Sequence, residues 1–207
     1  MRGGFGPAVG GVARLGARAG LHRFRWDFAL PGPEGAGGRG GSRGPWVAPG
    51  SYQARLTVGE WTATKPFRLL IDPRLPADGV TEAVLAEQLA MSLKARDLVT
   101  EARRLVARLG DIKGRAAALT GVDAEKARAQ PRLAALEAKL VTAATRYPTP
   151  MLADQIGFLY SMTQAADQQL GRDVYERYDE LSGQLAGLTA ELQKILAEDL
   201  PSLRALP

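Results

Sequence analysis

Apolar and polar residues alternate along this chain in two different rhythms, with a period of two before residue 72 and a period of about 3.5 beyond residue 81. In the stretch His22-Arg23-Phe24-Arg25-Trp26-Asp27, Phe24 and Trp26, followed by Phe28, fall on alternate positions. The same holds for Tyr52, Ala54, Leu56 and Val58 within Ala48 to Val58. Each pattern predicts a strand with one buried face, and Pro49-Gly50 marks a turn before the second. A third strand is expected over Trp61 to Ile71, joined to its predecessor by a hairpin turn at Gly59-Glu60. Between the first two strand signatures, Pro31 to Pro45 is dominated by glycine and proline and reads as an exposed loop. Three or four strands make a thin sandwich, because an independent immunoglobulin-like domain usually has about seven. The opening half of such a sandwich is therefore expected to be missing.

Asp72-Pro73-Arg74-Leu75-Pro76 ends the sheet, since proline donates nothing to a ladder and disfavours helix in the residue before it. From Thr81, Leu85, Leu89, Leu93, Ala102, Leu105 and Leu109 form one helical stripe, which Gly110 is expected to close. A second helix is expected from Asp111 to Arg146, interrupted near Thr120-Gly121-Val122-Asp123, with Leu133, Leu136 and Leu140 inward. After the corner Tyr147-Pro148-Thr149-Pro150, Thr149 reads as an N-cap and Pro150 as the first residue of a helix running to about Gln168. Asp173 and Glu176 have the spacing of a capping box for a fourth helix. In that helix Val174, Tyr178, Leu181, Leu185, Leu188, Leu192 and Ile195 alternate steps of four and three, the spacing of a coiled-coil seam. The seam fits the core stripe of an antiparallel bundle or, alternatively, an interface through which the 174–195 helix makes an oligomer.

The expected architecture is thus α+β. Residues 1–20 form a flexible Gly/Arg-rich segment, 21–73 a partial immunoglobulin-like β-sandwich, and 74–207 an antiparallel bundle of about four helices. Charge divides along the same line. Residues 1–72 hold ten Lys/Arg against four Asp/Glu, net +6, and residues 73–207 hold seventeen against eighteen, net −1. Arg2-Gly3-Gly4 and Arg39-Gly40-Gly41 are superficially like RNA-binding Arg-Gly-Gly tracts, but two copies without interleaved aromatics do not make one, and no nucleic-acid partner is expected. No apolar run is long enough to span a bilayer, and residues 1–20 lack the apolar core of a signal peptide.

Candidate chemistry is sparse. Without cysteine there is no disulfide, thiolate metal site or cysteine nucleophile. With His22 as the single histidine, the Glu-x-x-His pairs of a di-metal helix bundle cannot be assembled, and His22 itself reads as a surface position on the sheet. Asp97 with Glu101, or Asp179 with Glu180, could be imagined as a glycosidase acid and base, yet Arg96, Arg103, Arg104 and Arg177 lie among them and favour solvated ion pairs. The Arg96 to Arg108 face could bind an acidic partner, but the same acids dilute its charge. Five tyrosines raise a sialidase reading, tyrosine being the nucleophile there, but Tyr147, Tyr160, Tyr175 and Tyr178 cluster around the third and fourth helices and read as an aromatic core layer. Trp26 is expected to fill a thin sandwich core, with Asp27 bonding backbone N–H groups to start the next turn. No catalytic, cofactor-binding or metal-binding residue is assigned, and no cofactor is expected.

Taken together, Gly20-Leu21-His22-Arg23-Phe24-Arg25-Trp26-Asp27, Gly44-Pro45-Trp46-Val47-Ala48-Pro49-Gly50-Ser51-Tyr52 and Asp72-Pro73-Arg74 ahead of helices resemble the C-terminal region of bacterial sortilin-like β-propeller proteins. That family is usually labelled glycosyl hydrolase of the neuraminidase-repeat (BNR) type. The strand portion is also similar to the immunoglobulin-like module of flagellar hook-capping proteins, in which a Trp-Asp turn and a Gly-x-Tyr strand recur. The resemblance spans roughly residues 20–199. It implies the tail of a larger secreted protein, extracellular or periplasmic, whose partner is the propeller of the parent. The family's presumed catalytic surface lies in that propeller, so no catalytic residue carries over. The expectation is a non-catalytic accessory module, probed against two alternatives: a glycoside hydrolase or sialidase, and an oligomerising helical scaffold.

Overall fold

The computed structural model describes residues 16, 18–35, 43–118, 120 and 123–204. Among these residues the protein is α+β, with two small antiparallel sheets of two strands each and a set of helices. The flexible segment expected over 1–20 lies, except for residues 16 and 18–20, outside the described residues, as do both Arg-Gly-Gly copies and positions 121–122 of the expected helix interruption. The chain forms two compact units, Met1–Lys94 with Thr163–Leu170, and Ala95–Met162 with Gly171–Pro207.

In the first unit, β1 (Ala29–Pro31) pairs with β2 (Arg43–Trp46), and β3 (Gly50–Val58) pairs with β4 (Trp61–Leu69). The β3–β4 hairpin has the expected two-residue connection, with Gly59 at φ +60°, a conformation that costs glycine nothing. The strand expected over His22–Asp27 is reduced to a single bridge residue, Arg25. Asp27 supplies a physical reason, because its Oδ1 accepts the Ala29 N–H at 3.1 Å and turns the chain before a ladder can extend. Residue 28 follows in the left-handed region, at φ +59°. The loop expected over Pro31–Pro45 contributes strand at both ends instead. This ladder requires glycine at 44, since a Cβ there would fall 2.6 Å from the Leu30 carbonyl oxygen and meet the Pro31 carbonyl as well.

The helix α1 (Glu82–Ala118) contributes its first turns to this unit and the remainder to the second. Thr81 caps it, its Oγ1 accepting the Val84 N–H at 3.2 Å. Gly110 does not end the helix as expected. Buried Ile112 and Ala116 continue the stripe of Leu105 and Leu109, and burial of one face outweighs the backbone entropy of a single glycine. Gly110 is exposed, and a Cβ at that position meets nothing within 4 Å. Gly110→Ala is therefore expected to stabilise the helix by about 0.5–1 kcal/mol, read as a higher urea midpoint by far-UV circular dichroism. A lower midpoint would mean the helix breaks at this residue.

In the second unit, α2 (Asp123–Leu140), α3 (Leu152–Met162), α4 (Arg172–Glu198) and the short α5 (Pro201–Arg204) follow. α2 stops at Leu140 rather than Arg146 and tolerates Pro131, which is exposed, as is Ala127, whose carbonyl it leaves without a helical donor. α3 is shorter than expected, and Thr149 is not its cap. Asp154 and Gln155 donate to the Met151 carbonyl, while the Met151 N–H donates to Thr142 Oγ1 at 2.9 Å. At α4 the capping box is likewise not formed. Gly171 is the N-cap, Asp173 lies in the first turn, and Glu176 instead pairs with Arg172 at 2.6 Å. The α4 seam is buried as its spacing requires, with Leu181, Leu192 and Ile195 fully inaccessible. Leu133, Leu136 and Leu140 of α2 and Ile156 of α3 complete the buried core of this unit.

Candidate functional site

The chemistry-bearing residues named from the sequence are scattered. His22 is exposed, with its Nε2 at 2.5 Å from the Arg18 carbonyl. Asp97 is held by Arg96 at 2.7 Å and Glu180 by Arg177 at 2.5 Å, all at the surface or half-buried, as expected of solvated ion pairs. The four tyrosines do not form a core layer. Tyr147 is 83% exposed and Tyr175 is exposed too, while Tyr160 and Tyr178 are half-buried, because helical phase places them at the rim of the leucine stripe. Burial pushes the Tyr178 phenol above its ordinary value, with the charges of Glu101, Asp179 and Asp97 adding to the effect. Among the described residues no group of three or more His, Cys, Asp or Glu could hold a metal ion, and no helix is long and apolar enough to cross a membrane.

What the sequence residues do assemble is an aromatic cluster. The Trp26 ring lies 4.8 Å from Phe28, 6.0 Å from Tyr52 and 6.2 Å from Phe67, edge-on to the last two, and Tyr52 stacks on Phe67 at 5.7 Å. Edge-to-face geometry sets the positive rim of one ring against the negative face of the next. The Tyr52 hydroxyl donates to the Ala48 carbonyl, four residues earlier, at 2.5 Å. A tyrosine at the start of a strand bonding back to the preceding corner is the arrangement that closes one corner of immunoglobulin-like sandwiches. Burial raises the Tyr52 phenol above its ordinary value. Nearby, Asp72 is clamped by Arg74, whose hydrogen bonds lower its carboxyl to about 2.

The register of the hairpin sorts its side chains onto two faces, since paired residues share a face. Ser51 opposite Arg68, Gln53 opposite Pro66, Arg55 opposite Thr64 and Thr57 opposite Thr62 make one face polar, and the two threonine hydroxyls lie 3.2 Å apart. Tyr52 opposite Phe67, Leu56 opposite Ala63 and Val58 opposite Trp61 make the other mostly apolar, with Ala54 opposite the exposed Lys65 as its one charged position. The aromatic cluster occupies only the proximal end of that face. At the distal end Leu56 is 46% exposed, Trp61 57% and Val58 62%. Length explains the gap. Strands of nine residues extend ~30 Å, whereas a second sheet of three and four residues extends only ~10–13 Å and cannot cover them. This open apolar face was legible only in half: alternation in the sequence identified the residues, but not that they stay exposed among the described residues.

Comparison with protein-family models, with curated proteins and with solved structures finds no match for this chain.

Proposed function

We propose that the chain is a non-catalytic interaction module, the partial immunoglobulin-like sandwich and antiparallel helical bundle that accompany a neuraminidase-repeat β-propeller of the sortilin-like type. The observation that carries the reading is the uncovered apolar end of the hairpin, Leu56, Val58 and Trp61. An isolated two-stranded ribbon is marginal in water, and one with an apolar face gains stability when a second β-layer packs on it. The Tyr52 corner supports the immunoglobulin-like part of the reading, and the buried seam of α4 supports the bundle. The propeller as partner rests on the resemblance of the three sequence stretches given above, and so does a secreted location.

The test is direct binding of the purified chain to the recombinant neuraminidase-repeat propeller by calorimetry. Trp61→Ser is expected to weaken binding by about 30-fold or more, the size of effect for a buried aromatic anchor. Its own unfolding midpoint should barely move, because surface substitutions typically fall within about ±0.5 kcal/mol. Absence of binding, or binding indifferent to Trp61→Ser and Val58→Ser, would overturn the proposal.

A further inference from the structure

A second surface of the first unit has the features of a small-molecule site. Between the sheets and the start of α1 lies a cleft of about 550 Å³, within the range of roughly 300–1,000 Å³ typical of ligand pockets. All of its lining belongs to this one unit. Its lining is leucine-rich, with Leu69, Leu75, Leu85 and Leu89 half-buried or buried. One wall is the segment following α3, and buried side chains fasten it. Gln88 Nε2 donates to the carbonyls of Thr163 (3.0 Å) and Ala166 (2.6 Å), its Oε1 accepts the Gln168 N–H (3.2 Å), and Ser92 Oγ donates to the Thr163 carbonyl (3.1 Å). The cleft is thus pre-formed by a satisfied polar network rather than by loose apolar contact.

Two observations indicate what it takes. Its lining carries three carboxylates, Asp27, Asp72 and Asp167, against one cation, Arg43, although the chain as a whole is +5. Arg43 already neutralises Asp27 at 3.3 Å, and Arg74 neutralises Asp72, leaving Asp167 as the carboxylate without a partner among the described residues. The guanidinium of Arg43 also sits 5.5 Å from the centre of the exposed Trp46 ring, so the chain itself places a cation on this aromatic rim. Beside it, Phe28 lines the cleft from the left-handed region, a conformation that bulky side chains rarely adopt and that clusters at binding sites.

We propose that this cleft binds a small organic cation with an apolar body, the ammonium or guanidinium end at Asp167 and the apolar part over the leucines. The test titrates the full ¹⁵N-labelled chain with 3-phenylpropylammonium and with its neutral counterpart, 3-phenylpropan-1-ol. Amide shifts should centre on Leu85, Ser92 and Asp167, and the ammonium should bind about three- to fivefold tighter, the contribution of a partly solvated ion pair. Asp167→Asn should remove that preference while leaving the alcohol unchanged, and Leu70→Ser, at the exposed rim, should weaken both probes. Equal affinity for the two probes, a preference that survives Asp167→Asn, indifference to Leu70→Ser, or shifts confined to other parts of the chain would each overturn the assignment.

Discussion

Leu192→Ala is expected to lower the stability of the helical unit by about 3–5 kcal/mol, the upper part of the range for emptying a fully enclosed leucine site. Leu192 is completely inaccessible and sits about three-quarters of the way along α4, the helix that contacts α2, α3 and α5. Two terms add. The side chain loses its transfer free energy, and the hole it leaves cannot collapse, because Leu188 and Ile195 on the same stripe are themselves anchored by burial. For a unit of this size, with a urea slope of roughly 1–1.5 kcal/mol per molar, the midpoint should fall by about 2 M or more. Leu192→Met conserves most of the volume and should cost less than about 1.5 kcal/mol. The measurement separates the two units, since all three tryptophans, Trp26, Trp46 and Trp61, belong to the first. Far-UV circular dichroism follows the helices, while tryptophan fluorescence follows the sheets. A Leu192→Ala chain with an unchanged dichroism midpoint would show that the α4 seam does not carry the core.

The second large effect concerns Trp26, where two substitutions of one residue are expected to diverge. Trp26→Ala should cost about 2–4 kcal/mol, below the full range for a buried tryptophan because the residue is only half-buried. That loss removes the ring that joins Phe28 to Tyr52 and Phe67, and with it the contact between the 24–28 segment and the hairpin. Trp26→Phe should be within about 1 kcal/mol of the parent. It keeps a ring in the cluster, and it deletes an indole N–H that is buried with no hydrogen-bond partner among the described residues. Leaving such a donor unsatisfied costs about 1–3 kcal/mol, which offsets the packing lost with the smaller ring. Urea unfolding followed by the fluorescence of Trp46 and Trp61 reads both variants. If phenylalanine proved as damaging as alanine, the indole N–H would have to be bonded in the folded protein.

The open hairpin face and the cleft make different demands on the same unit. The face at Leu56, Val58 and Trp61 is apolar and ribbon-like, suited to packing against another β-layer. The cleft is concave, part-charged and walled by a segment that returns from residue 163. Trp61→Ser should leave binding of the phenylpropylammonium probe unchanged, and Asp167→Asn should leave association with a β-partner unchanged, because Trp61 and Asp167 act on separate surfaces.

Local periodicity was enough to recover much of this architecture. The β3–β4 hairpin, its Gly59-Glu60 turn, the Asp27 turn and the leucine seam of α4 were all readable from sequence, because each depends on spacing within one element. Strand alternation and helical repeat are written in neighbouring residues, and a buried face needs no distant information to be recognised as apolar. Elements whose state depends on a remote partner were not readable. Gly110 looked like a helix end until burial of Ile112 and Ala116 carried α1 past it. The glycine-rich loop hid a β1–β2 ladder that only the close approach of Gly44 to the 30–31 backbone allows. Cap positions at α3 and α4 passed to Met151 and Gly171 because Thr142 and Arg172 took the competing hydrogen bonds. Above all, the chain states which face of the hairpin is apolar, but exposure is decided by what lies opposite. The strand lengths of the second sheet, and the return of residues 163–168 onto Gln88 and Ser92, are tertiary facts, and among the described residues they decide where apolar surface stays open and where a cleft is enclosed.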